Sequence, residues 1–131
     1  MSGFRGDASV RLSFAFLVAA AIAPWPAQAQ VACQSGDNAQ ACVNPDGTTI
    51  GFVRTNANGA GVTNSGTVGT YIWTSSANSG VTNSGTVGTV IETDGDNSGV
   101  TNSGDVGGFI RTHGDNSGVT NSGFVGSGAA G

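Results

Sequence analysis

Lysine is missing from this sequence, and charge of either sign is scarce. Only 9% of its 131 residues are charged, whereas a typical soluble domain has about 25%. Two arginines and seven carboxylates follow residue 29, which gives that part a formal charge of −5. A protein that binds nucleic acid carries a basic stripe on its surface. The composition therefore excludes nucleic acid as a partner.

Histidine occurs once, at His113, so the sequence offers no Ser–His or Cys–His pair. A catalytic or metal site needs several such groups in one place. Calcium binding by Asp94, Asp96 and Asp115 is disfavoured, because the Gly/Asp nonapeptide of calcium-binding β-rolls is absent. We expect solvated turns there. We predict no catalytic, cofactor or metal site, and a protein that is not an enzyme.

Long apolar runs are also lacking. The longest, residues 12–23, is too short for a membrane span, which needs about 20 residues. It follows two arginines and precedes Ala27-Gln28-Ala29, a small-x-small motif typical of signal peptide cleavage. We expect residues 1–29 to be a secretory signal peptide and Gln30 to be the mature N-terminus.

Cysteine is limited to Cys33 and Cys42. An even number of cysteines in an exported chain indicates a disulfide. The bond would close a small loop within an N-terminal cap segment, residues 30–41. We predict that this disulfide is a structural staple next to the first coil.

Glycine, by contrast, is abundant and periodic. GVTNSG begins at residues 61, 80, 99 and 118, at intervals of 19, and CVNPDG at 42–47 is a degenerate copy that keeps Val43 and Gly47. A fixed period near 20 is typical of a solenoid, and alternation with period two indicates strands. We predict an all-β fold, a short right-handed parallel β-helix with 19-residue coils. The coils are 42–60, 61–79, 80–98, 99–117 and a partial coil, 118–131.

Alternation within a coil predicts which side chains face inward, since successive strand residues point to opposite sides. Thr63, Ser65 and Thr67 fall on the outer side. The inward parity holds Val62, Asn64, Gly66, Val68, Thr70 and Ile72. One asparagine per coil therefore faces inward, and stacked amides can donate to one neighbour and accept from the other. We predict an internal ladder of Asn64, Asn83, Asn102 and Asn121.

The second half of each coil contains FVRT, YIWT, VIET or FIRT, starting at residues 52, 71, 90 and 109. Its second column is always Val or Ile and should face inward. The third column is Arg54, Trp73, Glu92 and Arg111, which should be solvated. The first column shares that parity, which predicts a possible partner surface of Phe52, Tyr71, Val90 and Phe109. The alternative, a local bulge that turns the first column inward, remains open.

The motif V-x-N-x-G-x-V at residues 62–68 resembles the I-x-N-x-G-x-I repeats of bacterial autotransporter passenger domains. The resemblance covers residues 42–131. It implies a right-handed parallel β-helix, Sec-type export, and display at the outer membrane or cell surface, often as an adhesin. Such proteins end in an outer-membrane barrel, which we do not expect within this chain. Contact with a membrane is expected only through such a further domain.

We therefore expect an exported structural or adhesive repeat protein, at the cell surface or secreted, with an unknown surface ligand. Two alternatives stay open. An unpaired last coil is an edge that favours self-association through open coil ends, as in a functional amyloid. Outward ranks of Thr63, Ser65 and Thr67, repeated from coil to coil, are also typical of ice-binding β-solenoids.

Overall fold

The structure, a computed structural model, describes residues 31–126. Within this range every regular element is a β-strand, and no helix is long and apolar enough to cross a membrane. The predicted all-β class is confirmed. The predicted signal peptide and the mature N-terminus at Gln30 lie outside the described residues.

The described chain forms short strands, each of two to four residues. In chain order they are β1 (Gly36–Asn38), β2 (Cys42–Asn44), β3 (Thr49–Ile50), β4 (Val53–Thr55), β5 (Val62–Asn64), β6 (Thr67–Val68), β7 (Tyr71–Thr74), β8 (Val81–Asn83), β9 (Thr86–Val87), β10 (Val90–Thr93), β11 (Val100–Asn102), β12 (Asp105–Val106), β13 (Phe109–Thr112), β14 (Val119–Asn121) and β15 (Phe124–Val125).

These strands lie in three parallel sheets of five strands each. The VTN sheet contains β2, β5, β8, β11 and β14, the TV sheet contains β3, β6, β9, β12 and β15, and the aromatic sheet contains β1, β4, β7, β10 and β13. Each full coil contributes one strand to every sheet, so the chain forms a three-sided β-solenoid. The predicted parallel solenoid is confirmed, whereas its right-handed sense stays a prediction.

Neighbouring coils are in register at the predicted spacing. Val62 pairs with Val81 and then Val100, and Ile72 pairs with Ile91, each 19 residues on. Parallel pairing of identical strands places like side chains over one another. Fully buried valines and isoleucines from all three sheets therefore form one continuous core, which runs along the inside of the stack.

The first coil departs from the predicted alignment. Cys42, not Val43, pairs with Val62, and Asn44 pairs with Asn64. Val43 therefore takes the outward position opposite Thr63. The reason is the segment 45–48 between β2 and β3, which is two residues longer than the corresponding bend between Asn64 and Thr67. The correspondence of Val43 and Gly47 with the later repeats was wrong.

Strict alternation also fails at one corner. It groups Thr70 with the inward residues, but Thr70 and its equivalent Thr89 are exposed. The chain bends at Gly69 and Thr70, between the TV strand and the aromatic strand. Alternation holds only within strands, so it fails at the bend and resumes in β7, where Ile72 faces the core with no exposed surface.

The predicted disulfide between Cys33 and Cys42 is present and confirmed. Both cysteines are buried and belong to the same hydrophobic core as the valines of the later coils. The bond joins the segment before β1 to β2 at the start of the stack. Disulfides persist in oxidising compartments, and this one therefore indicates an environment outside the cytoplasm.

Candidate functional site

The inward asparagines form one continuous row of side-chain hydrogen bonds. Asn64 Nδ2 donates to Asn83 Oδ1 at 2.7 Å, and Asn83 donates to Asn102 at the same distance. Asn102 donates to Asn121 at 2.8 Å. The structure thus brings together all the asparagines of the predicted ladder. Asn121, in the last described coil, is exposed, whereas the others are buried.

Sequence analysis missed one member of this ladder. Asn44 Nδ2 donates to Asn64 Oδ1 at 2.7 Å, and the Thr48 hydroxyl donates to Asn44 Oδ1. Thr48 therefore supplies the donor that a preceding asparagine would otherwise give. CVNPDG and GVTNSG each contain one asparagine after the valine, at different distances from it, and the asparagines align only when Cys42, not Val43, is matched to Val62.

A second internal row lies at the loop that closes each coil. The backbone N–H of Ser79 donates to Ser98 Oγ at 2.9 Å, and that of Ser98 donates to Ser117 Oγ at 2.8 Å. The asparagine before each serine has a positive φ, between 55° and 58°. Asparagine tolerates this left-handed conformation better than most residues. The recurring Asn-Ser that ends SSANS, DGDNS and HGDNS was the sequence signal for this corner.

The first aromatic column lies on the outer side of the aromatic sheet, and no bulge turns it inward. Phe52 and Tyr71 stack with their ring centroids 5.0 Å apart and an interplanar angle of 25°. Val90 is half-buried, and Phe109 is 47% exposed. Stacked aromatic rings on the outside of the sheet present a large apolar area, while the core behind the sheet stays buried. Such apolar surfaces are typical of interaction sites.

A hollow interrupts this column where valine replaces an aromatic residue. Its volume is about 400 Å³, and Val90 lies between the rings of Tyr71 and Phe109. Trp73, Thr89 and Glu92 also line it. We call it the Val90 hollow. Sites that bind small molecules are commonly apolar depressions with a few polar groups, here a carboxylate and a hydroxyl at the edge.

The third column lies beside the hollow, and its side chains are half-buried or exposed. Salt bridges join its arginines to acidic residues of the preceding coil. Asp37 Oδ2 accepts from Arg54 Nη2 at 2.8 Å, and Arg54 lies 5.7 Å from the centroid of the Trp73 ring. The hydrogen bond from Arg54 holds the pKa of the Asp37 carboxyl below its ordinary value. Arg111 pairs with Glu92 at 2.6 Å.

Glu92 also belongs to a group that sequence analysis did not recognise. His113 Nε2 lies 3.2 Å from Glu92 Oε1 and 3.9 Å from Asp94 Oδ1. We call these three residues the acid–histidine cluster. Asp94 and His113 occupy equivalent positions in successive coils, so that stacking brings them together. The 19-residue alignment of Asp94 with His113 contains this signal, which a search for ligands close together along the chain does not reveal.

The outward hydroxyl ranks are divided between faces of the solenoid. Thr63 lies on the VTN sheet, Thr67 lies on the TV sheet, and Ser65 is at the bend between them. Asp105 and Phe124 continue the Thr67 rank in the later coils. The VTN sheet and the TV sheet therefore present one outward threonine rank each, whereas Thr55, Thr74 and Thr93 of the aromatic sheet are buried.

The last described coil is more exposed than the coils before it. Val119 is 45% exposed, whereas its equivalent Val100 is 2% exposed. No described coil covers Val119. The apolar groups that a following coil would bury are therefore accessible in the described part of the chain.

Comparison with known proteins adds no relative to these observations. No family model matches the chain, and no curated protein and no solved structure matches it.

Proposed function

We propose that this protein is an exported structural repeat protein that adheres through the outer side of its aromatic sheet. The finer form of the proposal is a surface-displayed segment similar to an autotransporter passenger domain. The β-solenoid with its asparagine repeat supports the first part, and the disulfide supports an oxidising compartment. No catalytic activity is part of this proposal.

The observation that carries the adhesive role is the aromatic column with its hollow. The in-register hydrogen bonds of the sheet hold Tyr71, Val90 and Phe109 in one row. A binding surface whose groups are already fixed loses little conformational entropy when a ligand docks. Rings on both sides of the Val90 hollow and Glu92 at its edge match a ligand with an apolar face and a hydroxyl or amide group.

Export is tested by expression of the full chain in a Gram-negative bacterium, followed by fractionation and mass spectrometry. The expected product outside the cytoplasm begins at Gln30 and has no free thiol after unfolding without reductant. A protein that stays in the cytoplasm with Met1 and two reactive thiols contradicts the export proposal.

Adhesion is tested with beads coated with the protein on a panel of immobilised glycans and matrix proteins. Val90→Phe fills the hollow and should abolish retention of the beads without loss of the strand signal in circular dichroism. Thr101→Phe places the same ring on the VTN sheet and should leave retention unchanged. No retention of the wild-type protein on any surface, or equal loss in both variants, contradicts the adhesive role.

A further inference from the structure

The acid–histidine cluster carries an inference that does not rest on adhesion, although Glu92 also lines the Val90 hollow. We propose that Glu92, Asp94 and His113 bind a divalent cation of the zinc class. Two of these residues come from the coil 80–98 and the third from the coil 99–117. The bound ion would therefore join two successive coils on the outside of the solenoid.

The ligand types fit this class of ion. Zinc accepts imidazole nitrogen and carboxylate oxygen, and sites with three protein ligands keep a fourth position for water. Imidazole also suits copper and nickel, whereas calcium and magnesium prefer oxygen ligands alone. One nitrogen with two carboxylates in an exposed cluster therefore favours a transition cation with bound water.

The distances fit as well. The three ligand atoms lie within 4.8 Å of one another. On a tetrahedral zinc ion with bonds of about 2.0–2.2 Å, two ligand atoms are roughly 3.3–3.5 Å apart. His113 and Glu92 are already at 3.2 Å, and His113 and Asp94 are at 3.9 Å. Asp94 Oδ1 would need to approach His113 Nε2 by roughly 0.4 Å to reach this ligand spacing.

Other contacts hold the ligands in place. Trp73 Nε1 donates to Asp94 Oδ2 at 2.7 Å, which leaves Oδ1 as the oxygen nearer to His113. The His113 backbone N–H donates to Thr93 O at 2.9 Å, so the coil ladder fixes the position of its Cα. Such partners behind the ligands commonly orient a metal site and tune its affinity.

Arg111 distinguishes a metal site from a plain ion-pair network. Its guanidinium contacts Glu92 Oε1 at 2.6 Å through Nη2 and at 3.1 Å through Nε. In a metal site this positive charge competes with the cation for the same carboxylate. In a plain network it would instead hold the cluster together. The two arrangements predict opposite effects when Arg111 is neutralised.

The experiment uses the full chain without a histidine tag, because His113 is then the only histidine present. Zinc chloride is titrated by calorimetry, and the ring protons of the single imidazole are followed by NMR. We expect saturable binding and a shift of both ring signals. Absence of a shift at millimolar zinc overturns the proposal.

Variants then locate the ion. Mutation of a residue that only hydrogen-bonds to a metal ligand commonly weakens metal affinity by about 10- to 100-fold. Loss of a ligand itself, in His113→Gln, should therefore weaken binding by at least about tenfold. Asp105→Asn removes an exposed carboxylate from the TV sheet and is the matched control, with unchanged affinity. Arg111→Gln should bind zinc about threefold tighter or more, since a competing positive charge is removed. Wild-type affinity in His113→Gln, or weaker binding in Arg111→Gln, overturns the assignment.

Discussion

At the scale of the residue, the inside of this solenoid is held by polar side chains as well as by valine. A buried amide is costly unless its donors and acceptors are satisfied. Each inward asparagine donates to the next asparagine and accepts from the one before. The ladder therefore stabilises the stack only while it is continuous.

Asn83→Ala and Thr82→Ala should differ widely, although the residues are adjacent. Loss of the Asn83 amide removes the side-chain acceptor of Asn64 Nδ2 and the side-chain donor to Asn102 Oδ1, and a buried group left unsatisfied costs about 1–3 kcal/mol. Thr82 is exposed, so its substitution should change the free energy of unfolding by under about 0.5 kcal/mol. Urea melts followed by far-UV circular dichroism measure both, and equal midpoints would contradict the inward assignment.

A second pair of variants tests the buried threonines of the aromatic sheet. Thr74 Oγ1 is buried without a hydrogen-bond partner, whereas its equivalent Thr93 donates to Ser98 O. Thr74→Val removes an unsatisfied hydroxyl and should raise the free energy of unfolding by about 1 kcal/mol. Thr93→Val loses a bond and should lower it by a similar amount. Shifts of the same sign in both variants would rule out this explanation.

At the scale of the element, the sequence predicted the strands wherever alternation and the 19-residue period were uninterrupted. The burial of Val62, Val68 and Ile72 follows from those two signals alone. They failed at Thr70, because this residue lies in a bend between sheets, where side chains do not alternate. They also failed in the first coil, where residues 45–48 shift the register, because period and parity contain no information about insertions.

The candidate site shows the same division. The outer aromatic column was predictable, since parity puts Tyr71 and Trp73 on one side of a strand. The Val90 hollow was not predicted, because its depth depends on the stacked rings on either side. The acid–histidine cluster required the comparison of Asp94 with His113 across coils, and not a search for ligands along the chain.

Glycines at the corner between the VTN and TV sheets should be intolerant of any side chain. A Cβ at Gly85 would lie 2.1 Å from the carbonyl oxygen of Gly66 in the coil below. Gly85→Ala should therefore lower the free energy of unfolding by about 1–3 kcal/mol. At Gly118 no atom lies within 4 Å of a new Cβ, so Gly118→Ala should change it by less than about 0.5 kcal/mol. Thermal melts compare the two, and similar losses would contradict the close approach of the coils.

At the scale of the whole molecule, stability is distributed over coils and the interfaces between them, as in other repeat proteins. Each interface in the regular part repeats the same pairs, so that no single coil is indispensable. What the stack requires is that corresponding strands of successive coils pair in register, as the first coil does although Cys42 and its partner Val62 are not 19 residues apart.

Deletion of residues 80–98 tests this requirement. It removes one coil and brings Val62 onto Val100 and Asn64 onto Asn102, in the same register as before. The variant should unfold cooperatively, with a denaturant m-value lower by roughly a fifth, because m scales with the surface exposed on unfolding. Deletion of residues 80–89 instead removes about half a coil, including β8 and β9, and puts β10 where a strand of the VTN sheet is needed. That variant should lose its cooperative transition, and equal folding of both would refute the coil register.

The identity of neighbouring interfaces also has a hereditary consequence. Residues 61–70 and 80–89 are the same ten amino acids, GVTNSGTVGT. Unequal recombination between the coding segments of two such coils adds or removes one whole coil. Every remaining contact then stays in register. In this gene the same event yields a longer or shorter rod, and with it more or fewer copies of the outer surface.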